Sequence, residues 1–282
     1  MQIGATMFAT DQSIDVVELA RALEERGLTS FYVPEHTHIP TSRDTPPPTG
    51  DAELREEYLR TLDPFVALTA AAAVTERLRI GTGICLVAQR DPIVTAKEVA
   101  SLDHLSGGRF VFGVGFGWNR DEMAHHGVDY PARREIVREK VLAMQSFWRD
   151  DEASFAGEHV KIAPSWSWPK PVQQPWPPVL IGGAAGPKLF AHIVDYADGW
   201  IPIGGAGLGT ALPELRRLVE EAGRDPDALR IVPFGTIPER GKLDYYASLG
   251  IDEVVVRLPT ATRDRVLPLL DEYSEFVDHA LP

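Results

Sequence analysis

Short β-rich runs alternate with helical patterns from one end of this chain to the other, and that alternation limits its fold more than any single motif. Residues 2–8 read as a first strand, after which Ile14, Val17, Ala20 and Leu23 mark a helix ended by Gly27. Residues 30–33 form a second strand that Pro34 stops. A polar loop then runs from 35 to about 60, with Pro46, Pro47, Pro48 and Gly50 in it. A small alanine-rich helix at 64–74, a strand at 78–88 and a helix at 92–105 follow, the last placed to be capped by Gly107 and Gly108. Strand four is 109–114. Its helix has one buried face made by Val137, Val141, Met144 and Trp148, spaced i, i+4, i+7 and i+11. A polar, aromatic-dotted stretch at 150–178 interrupts the rhythm. Strands at 179–181, 199–203, 229–234 and 251–258 then alternate with helices near 187–195, 212–222, 243–249 and 263–277. Eight strands and eight helices in strict alternation are the count of a (β/α)8 barrel, an α/β fold. The competing arrangement, a doubly wound open sheet, rarely needs eight repeats in 282 residues. No composition break marks a second domain. Residues 1–282 therefore read as one barrel with insertions after strand two and after the helix that follows strand four.

A hydrophobic content of 44% supplies a full core. The formal net charge of −13 argues against nucleic acid and anionic membrane surfaces as partners. Cys85 is the only cysteine, so no disulfide forms within the chain. Residues 1–13 lack the charged start and long apolar core of a secretion signal, and no apolar run approaches a membrane span. These features predict a soluble, cytoplasmic protein.

Chemistry is expected where barrel strands end. The stretch 107–122, GGRFVFGVGFGWNRDE, carries a β-rich run into glycines 113, 115 and 117 and then a loop with Trp118, Asn119 and Asp121. Glycine there lets backbone approach a planar or phosphorylated ligand, although the spacing G-x-G-x-G is not the dinucleotide fingerprint. Strand two ends in Glu35-His36, a pair in which the imidazole can move a proton and the carboxylate can orient it or meet a ligand ring. His36 and His38 also spell H-x-H, but the ends of strands five, six and eight offer no further metal ligand. The other histidines, 104, 125, 126, 159, 192 and 279, fall in helical patterns, in loops or near the C-terminus. No metal is expected.

Strand three stays apolar through Gly83, Ile84 and Cys85, which suits a flat ring or, equally, a bulge around an inert thiol. The turn 182–186, with Gly182, Gly183, Ala184 and Gly186 before a helix, offers free N–H groups to an anion. Two neighbouring features read as architecture. Asp103 is placed to pair with Arg109, and Trp166, Trp168 and Trp176 among prolines predict a packed cover.

The segments VPEHTHIP at 33–40, RIGTGICLVAQRDPIVTAKEVASLDHLSGGRFVFGVGFGWNRDEM at 79–123 and PKPVQQPWPPVLIGG at 169–183 resemble the bacterial luciferase-like superfamily of flavin and deazaflavin oxidoreductases. The resemblance covers essentially the whole chain. It implies a barrel that binds coenzyme F420 (an 8-hydroxy-5-deazaflavin) or FMN at the strand C-termini. The ring would lie near Gly83, Ile84 and Cys85, where family members often hold a non-prolyl cis peptide, and the phosphate would lie at Gly182, Gly183, Ala184 and Gly186. Gly115, Gly117 and Asn119 would line the cavity. His36, Glu35 and Trp118 are the implied catalytic candidates. Arg43, Arg90, Arg120 and Lys188 fall near the mouth, where the acidic tail of F420 would favour cations. The sugar-phosphate dehydrogenase branch carries a carboxylate where this chain has Trp118, so that substrate is not expected. Deazaflavin-using members of unassigned activity are more similar.

Three functions follow from the resemblance. The first is hydride transfer between F420 and a small organic substrate, with His36 handling the proton. The second is FMN-dependent monooxygenation, and the third is non-catalytic binding of a flavin or deazaflavin. A homodimer is expected, because members of this superfamily often dimerise.

Overall fold

The computed structural model describes residues 1–47 and 53–277; Pro48, Gly50 and His279 lie outside the described residues. Its main sheet contains β1 (Gln2–Thr6), β2 (Ser30–Val33), β3 (Arg79–Thr82) and β4 (Phe110–Val114). An antiparallel hairpin of β5 (Ala153–Ala156) and β6 (Lys161–Ser165) stands apart. The main sheet resumes with β7 (Val179–Gly182), β8 (Gly199–Ile201), β9 (Arg230–Ile231), β10 (Phe234–Thr236) and β11 (Glu253–Arg257). Every ladder within it is parallel, in the order β10-β11-β1-β2-β3-β4-β7-β8-β9.

The two ends of that order belong to one stretch of chain. β9 pairs with β8 and β10 pairs with β11, so the segment from Arg230 to Thr236 spans the last gap and closes the sheet. Pro233, which has no N–H to give a ladder, separates the halves. Closure excludes the open doubly wound sheet and gives eight strand positions, as the alternation predicts.

The helices are α1 (Val16–Glu25), α2 (Pro64–Ala72), α3 (Pro92–Ser106), α4 (Arg120–His125), α5 (Arg133–Arg149), α6 (Pro187–Tyr196), α7 (Leu208–Glu221), α8 (Arg240–Ser248) and α9 (Arg263–Ser274). Local chemistry fixes several of their ends. Asp15, Asp63 and Asp91 each accept two backbone N–H bonds at an N-cap, and Pro64 and Pro92 follow two of them. Gly107, at φ 68°, closes α3.

Period-two alternation sorts the strands into two apolar layers. Phe31, Val33, Phe110, Phe112, Val254 and Val256 pack outward against the helices. Tyr32, Val111, Leu180, Ile201, Val232, Phe234 and Val255 fill the barrel. A Cβ at Gly81 would stand 2.5 Å from the Tyr32 ring, so this glycine makes room for that side chain. Glu253 joins Ser30, Arg79 and Arg230 at one end of the barrel, linking β11 to β2, β3 and β9.

Several expectations are corrected. β3 ends at Thr82, not near residue 88; beyond it the Gly83–Ile84 peptide is cis and Cys85 makes an isolated bridge to Val114. β1 ends at Thr6, not at residue 8, and α7 begins at Leu208, not at residue 212. Asp103 does not pair with Arg109. It accepts from the backbone and side chain of Gln173, while Arg109 donates to carbonyls of Ala72, Thr75, Leu78 and Ser106. Of the predicted tryptophan cover only Trp176 packs, against Asp198; Trp166 and Trp168 are 79% and 58% exposed. Among the described residues no helix is long and apolar enough to cross a membrane.

Candidate functional site

A cavity of about 410 Å³ opens at the C-terminal ends of the strands, where barrel folds place their chemistry. Phe8, Glu35 and His36 enter it from just beyond β1 and β2, Gly83, Ile84 and Leu86 from beyond β3, and residues 115–118 from beyond β4. Gly182, Gly183, Ile201, Ile203 and Phe234 complete the far wall, with Tyr58 from the long loop and Arg133 and Arg134 from the start of α5. Ile84 is central to this arrangement. A Cβ at Gly115 would lie 2.4 Å from its side chain and one at Gly182 would lie 2.9 Å from it. These two glycines therefore seat Ile84, and its apolar side chain takes the space that two larger neighbours would fill.

His36 does not use Glu35 as its carboxylate partner. Its Nδ1 lies 2.8 Å from Oε2 of Glu122, a residue in the first turn of α4, and both side chains are nearly sealed from solvent. Glu35 instead joins the strand-three end: one oxygen accepts from the Leu86 backbone N–H at 2.6 Å and the other from Arg90 at 2.6 Å. A side chain thus takes a backbone donor from the turn that follows β3. Arg90 is tied further to Asp63 and Glu98. Burial alone would lower its pKa, but the charge of Glu35, with further contributions that include its hydrogen bonds to Glu35 and Asp63, raises it overall. Arg90 consequently serves the scaffold and lies outside the cavity lining, contrary to its expected place at the mouth.

The remaining sequence candidates divide plainly. Gly83, Ile84, Gly115, Gly117, Trp118, Gly182 and Gly183 line the cavity with Glu35 and His36. Cys85 is fully buried in the outer core layer, and burial followed by the charge of Glu35 pushes its thiol pKa up. Asn119 is the N-cap of α4, accepting from the backbone of Asp121 and Glu122. Ala184 and Gly186 stand in the turn behind the wall, where Gly186 begins α6 with no side-chain cap.

Three adjacent loop residues each grip α4 or the residue after it. His36 meets Glu122, Thr37 Oγ1 lies 3.0 Å from His126 Nε2, and His38 Nε2 lies 2.9 Å from His125 Nδ1. The two histidines of H-x-H thus meet different residues of α4, and among the described residues no group of His, Cys, Asp and Glu is arranged to hold a metal.

Sequence reasoning missed Glu122, Tyr58, Arg133 and Arg134. The first could have been found from Asn119 followed by two acids, an N-cap signature that predicts α4. The arginines also carried a signal: two cations stand at the positive end of a 17-residue helix. Neither has a carboxylate within ion-pair distance among the described residues, whereas Arg26, Arg60, Arg79, Arg138 and Arg257 all do. Arg134 lies over the Phe116 ring at 4.2 Å and Arg133 over Tyr130 at 3.8 Å. Arg133 Nε and Arg134 Nη1 are buried without a hydrogen-bond partner. Burial, and then Arg133, lowers the pKa of Arg134.

The site fits a molecule with a flat apolar part and an anionic end. Ile84, Leu86 and Phe234 face the first; the uncapped start of α6 and the unpaired guanidinium nitrogens suit the second.

Comparison with known proteins agrees with this architecture. A family model described as luciferase-like monooxygenase matches residues 4–237. An uncharacterized protein of Mycobacterium tuberculosis (strain ATCC 25618 / H37Rv) is 45% identical over 267 residues, covering 94% of each chain. An F420-dependent secondary alcohol dehydrogenase, solved with an F420-acetone adduct, superposes with a TM-score of 0.77 at 18% identity over 100% of this chain and 99% of that one. A monooxygenase from Streptomyces bottropensis gives 0.76 at 17% identity over 98% of both chains. These structural likenesses establish the fold, while the match over residues 4–237 places the chain in the luciferase-like monooxygenase family of oxidoreductases.

Proposed function

We propose that this protein passes a hydride between coenzyme F420 and a small organic substrate. The observation that carries the reading is His36, a titratable ring in the cavity wall whose Nδ1 is engaged by Glu122 and whose Nε2 makes no hydrogen bond among the described residues. Oxidising an alcohol carbon releases one hydride and leaves one hydroxyl proton to be taken up; reducing a carbonyl reverses both. His36 Nε2 is placed to take or give that proton.

When bound, the deazaflavin supplies the hydride acceptor or donor, and the protein binds, orients and manages the proton. Ile84 and the Gly83 backbone would meet the ring, and the start of α6 with Arg133 and Arg134 would hold the phosphate. The substrate would stand among rings set at steep angles: Trp118 is 72° from His36 and 84° from Tyr58. An F420-dependent enzyme among the structural relatives supports the cofactor.

The test is a titration with F420 and, separately, FMN, followed by ligand fluorescence. Binding of the deazaflavin in preference to FMN is the expected result. Preference for FMN would replace the reading with monooxygenation and make oxygen consumption the next assay. Binding of neither would overturn it.

A further inference from the structure

We propose that Glu122 is the positioning residue for His36, fixing the ring so that Nδ1 carries a proton and Nε2 offers its lone pair to the cavity. The role of His36 in turnover rests on the hydride-transfer reading; the ring's tautomer does not.

Three observations converge. Oε2 of Glu122 sits 2.8 Å from Nδ1, and an ionised carboxylate can only accept, so the hydrogen belongs to Nδ1. The other oxygen, Oε1, is buried with no partner among the described residues, which leaves His36 as the sole hydrogen-bonding side chain among them against a carboxylate that is 1% exposed. The carboxylate is also held in place from both sides. Asn119 caps the turn that carries it, and Thr37 and His38 grip His126 and His125 beyond it. On the far side, Thr61 Oγ1 donates to the His36 carbonyl at 2.7 Å, fixing the backbone of the ring it serves.

The chemical consequence is directional. A neutral ring presenting a bare Nε2 is ready to receive the hydroxyl proton of an alcohol as the carbon loses its hydride. The imidazolium so formed lies against the Glu122 charge. In the reverse direction the same imidazolium returns its proton to the carbonyl oxygen, and the pair reverts to carboxylate and neutral ring. Glu122 keeps its own charge throughout and touches neither substrate nor cofactor.

Nitrogen-15 NMR of the cofactor-free protein tests the orientation without any variant. The neutral ring of His36 is expected as the Nδ1–H tautomer; an Nε2–H tautomer overturns the proposal. In Glu122→Gln, a near-isosteric change, the Nδ1–H preference is expected to be lost and kcat to fall about 10- to 100-fold. The Kd for F420 should change less than about twofold. Unchanged kcat and an unchanged tautomer in a variant that folds would sink the idea. If the protein binds no F420 yet shows Nδ1–H that disappears in Glu122→Gln, positioning is supported and the hydride-transfer reading fails.

Discussion

On the proposed hydride-transfer reading His36 and Arg134 divide the work of the site, and substitutions should separate them. His36→Ala would remove the proposed proton carrier while leaving the proposed ring floor and anion-binding end intact. Turnover is expected to drop by about 10²- to 10⁴-fold, with F420 affinity changed less than about twofold; single-turnover kinetics beside a fluorescence titration would read both. Arg134→Ala should do the opposite. A hydrogen bond to a charged group is worth about 1.5–3 kcal/mol, so binding should weaken roughly 10- to 100-fold while the bound enzyme keeps its rate. Equal affinity for wild type and variant would remove Arg134 from the phosphate site. His36 was visible in the sequence because it follows a strand end directly. Its partner was not, since Glu35 is adjacent in sequence while Glu122 arrives from the other side of two strands.

At the scale of elements, α4 is a six-residue helix held to the loop after β2 by histidine contacts. Burial, and then the neighbouring charge of His38, holds His126 below the ordinary histidine range of about 6.5. A depressed value means that the unfolded chain binds protons that the folded one refuses, so stability falls as pH drops below about 6.5. His192, depressed by burial and by Arg134, acts in the same sense. Calorimetry should therefore show the melting midpoint declining from pH 7 towards pH 5. His126→Gln should lessen that decline without abolishing it, because His192 remains. An identical slope in the variant would show that the α4 latch contributes nothing. The latch was illegible beforehand for a simple reason: α4 is too short for periodicity to reveal, and its contacts join residues nearly ninety positions apart. The eight strand positions were readable as short β-rich runs, and their helices from a helical period such as that of Val137, Val141, Met144 and Trp148. The hairpin β5–β6 lay unseen in a stretch of mixed polarity, and Tyr58 sits in a 3₁₀ turn within the long loop.

The molecule as a whole is sensitive where its narrow interior is filled. Gly81→Ala places a methyl group 2.5 Å and 2.7 Å from Tyr32 ring carbons and 2.8 Å from the Val111 carbonyl oxygen. Overpacking of this kind costs about 1–3 kcal/mol, which urea unfolding should register as a lower midpoint at unchanged slope. An unaltered midpoint would mean that the Tyr32 ring has room to shift. The closing of the barrel has a consequence in time. β1 is made first and β11 last, yet Gln2 through Thr6 pair with Glu253 through Arg257. While the chain is being synthesised, one side of β1 has bare N–H and C=O groups and no strand to cover them. The segment 230–236 reaches β8 and waits for the same late arrival. Until β11 is made, those two edges have no partner of their own and are open to pairing with the wrong chain, and β11 is the strand that joins them into a ring.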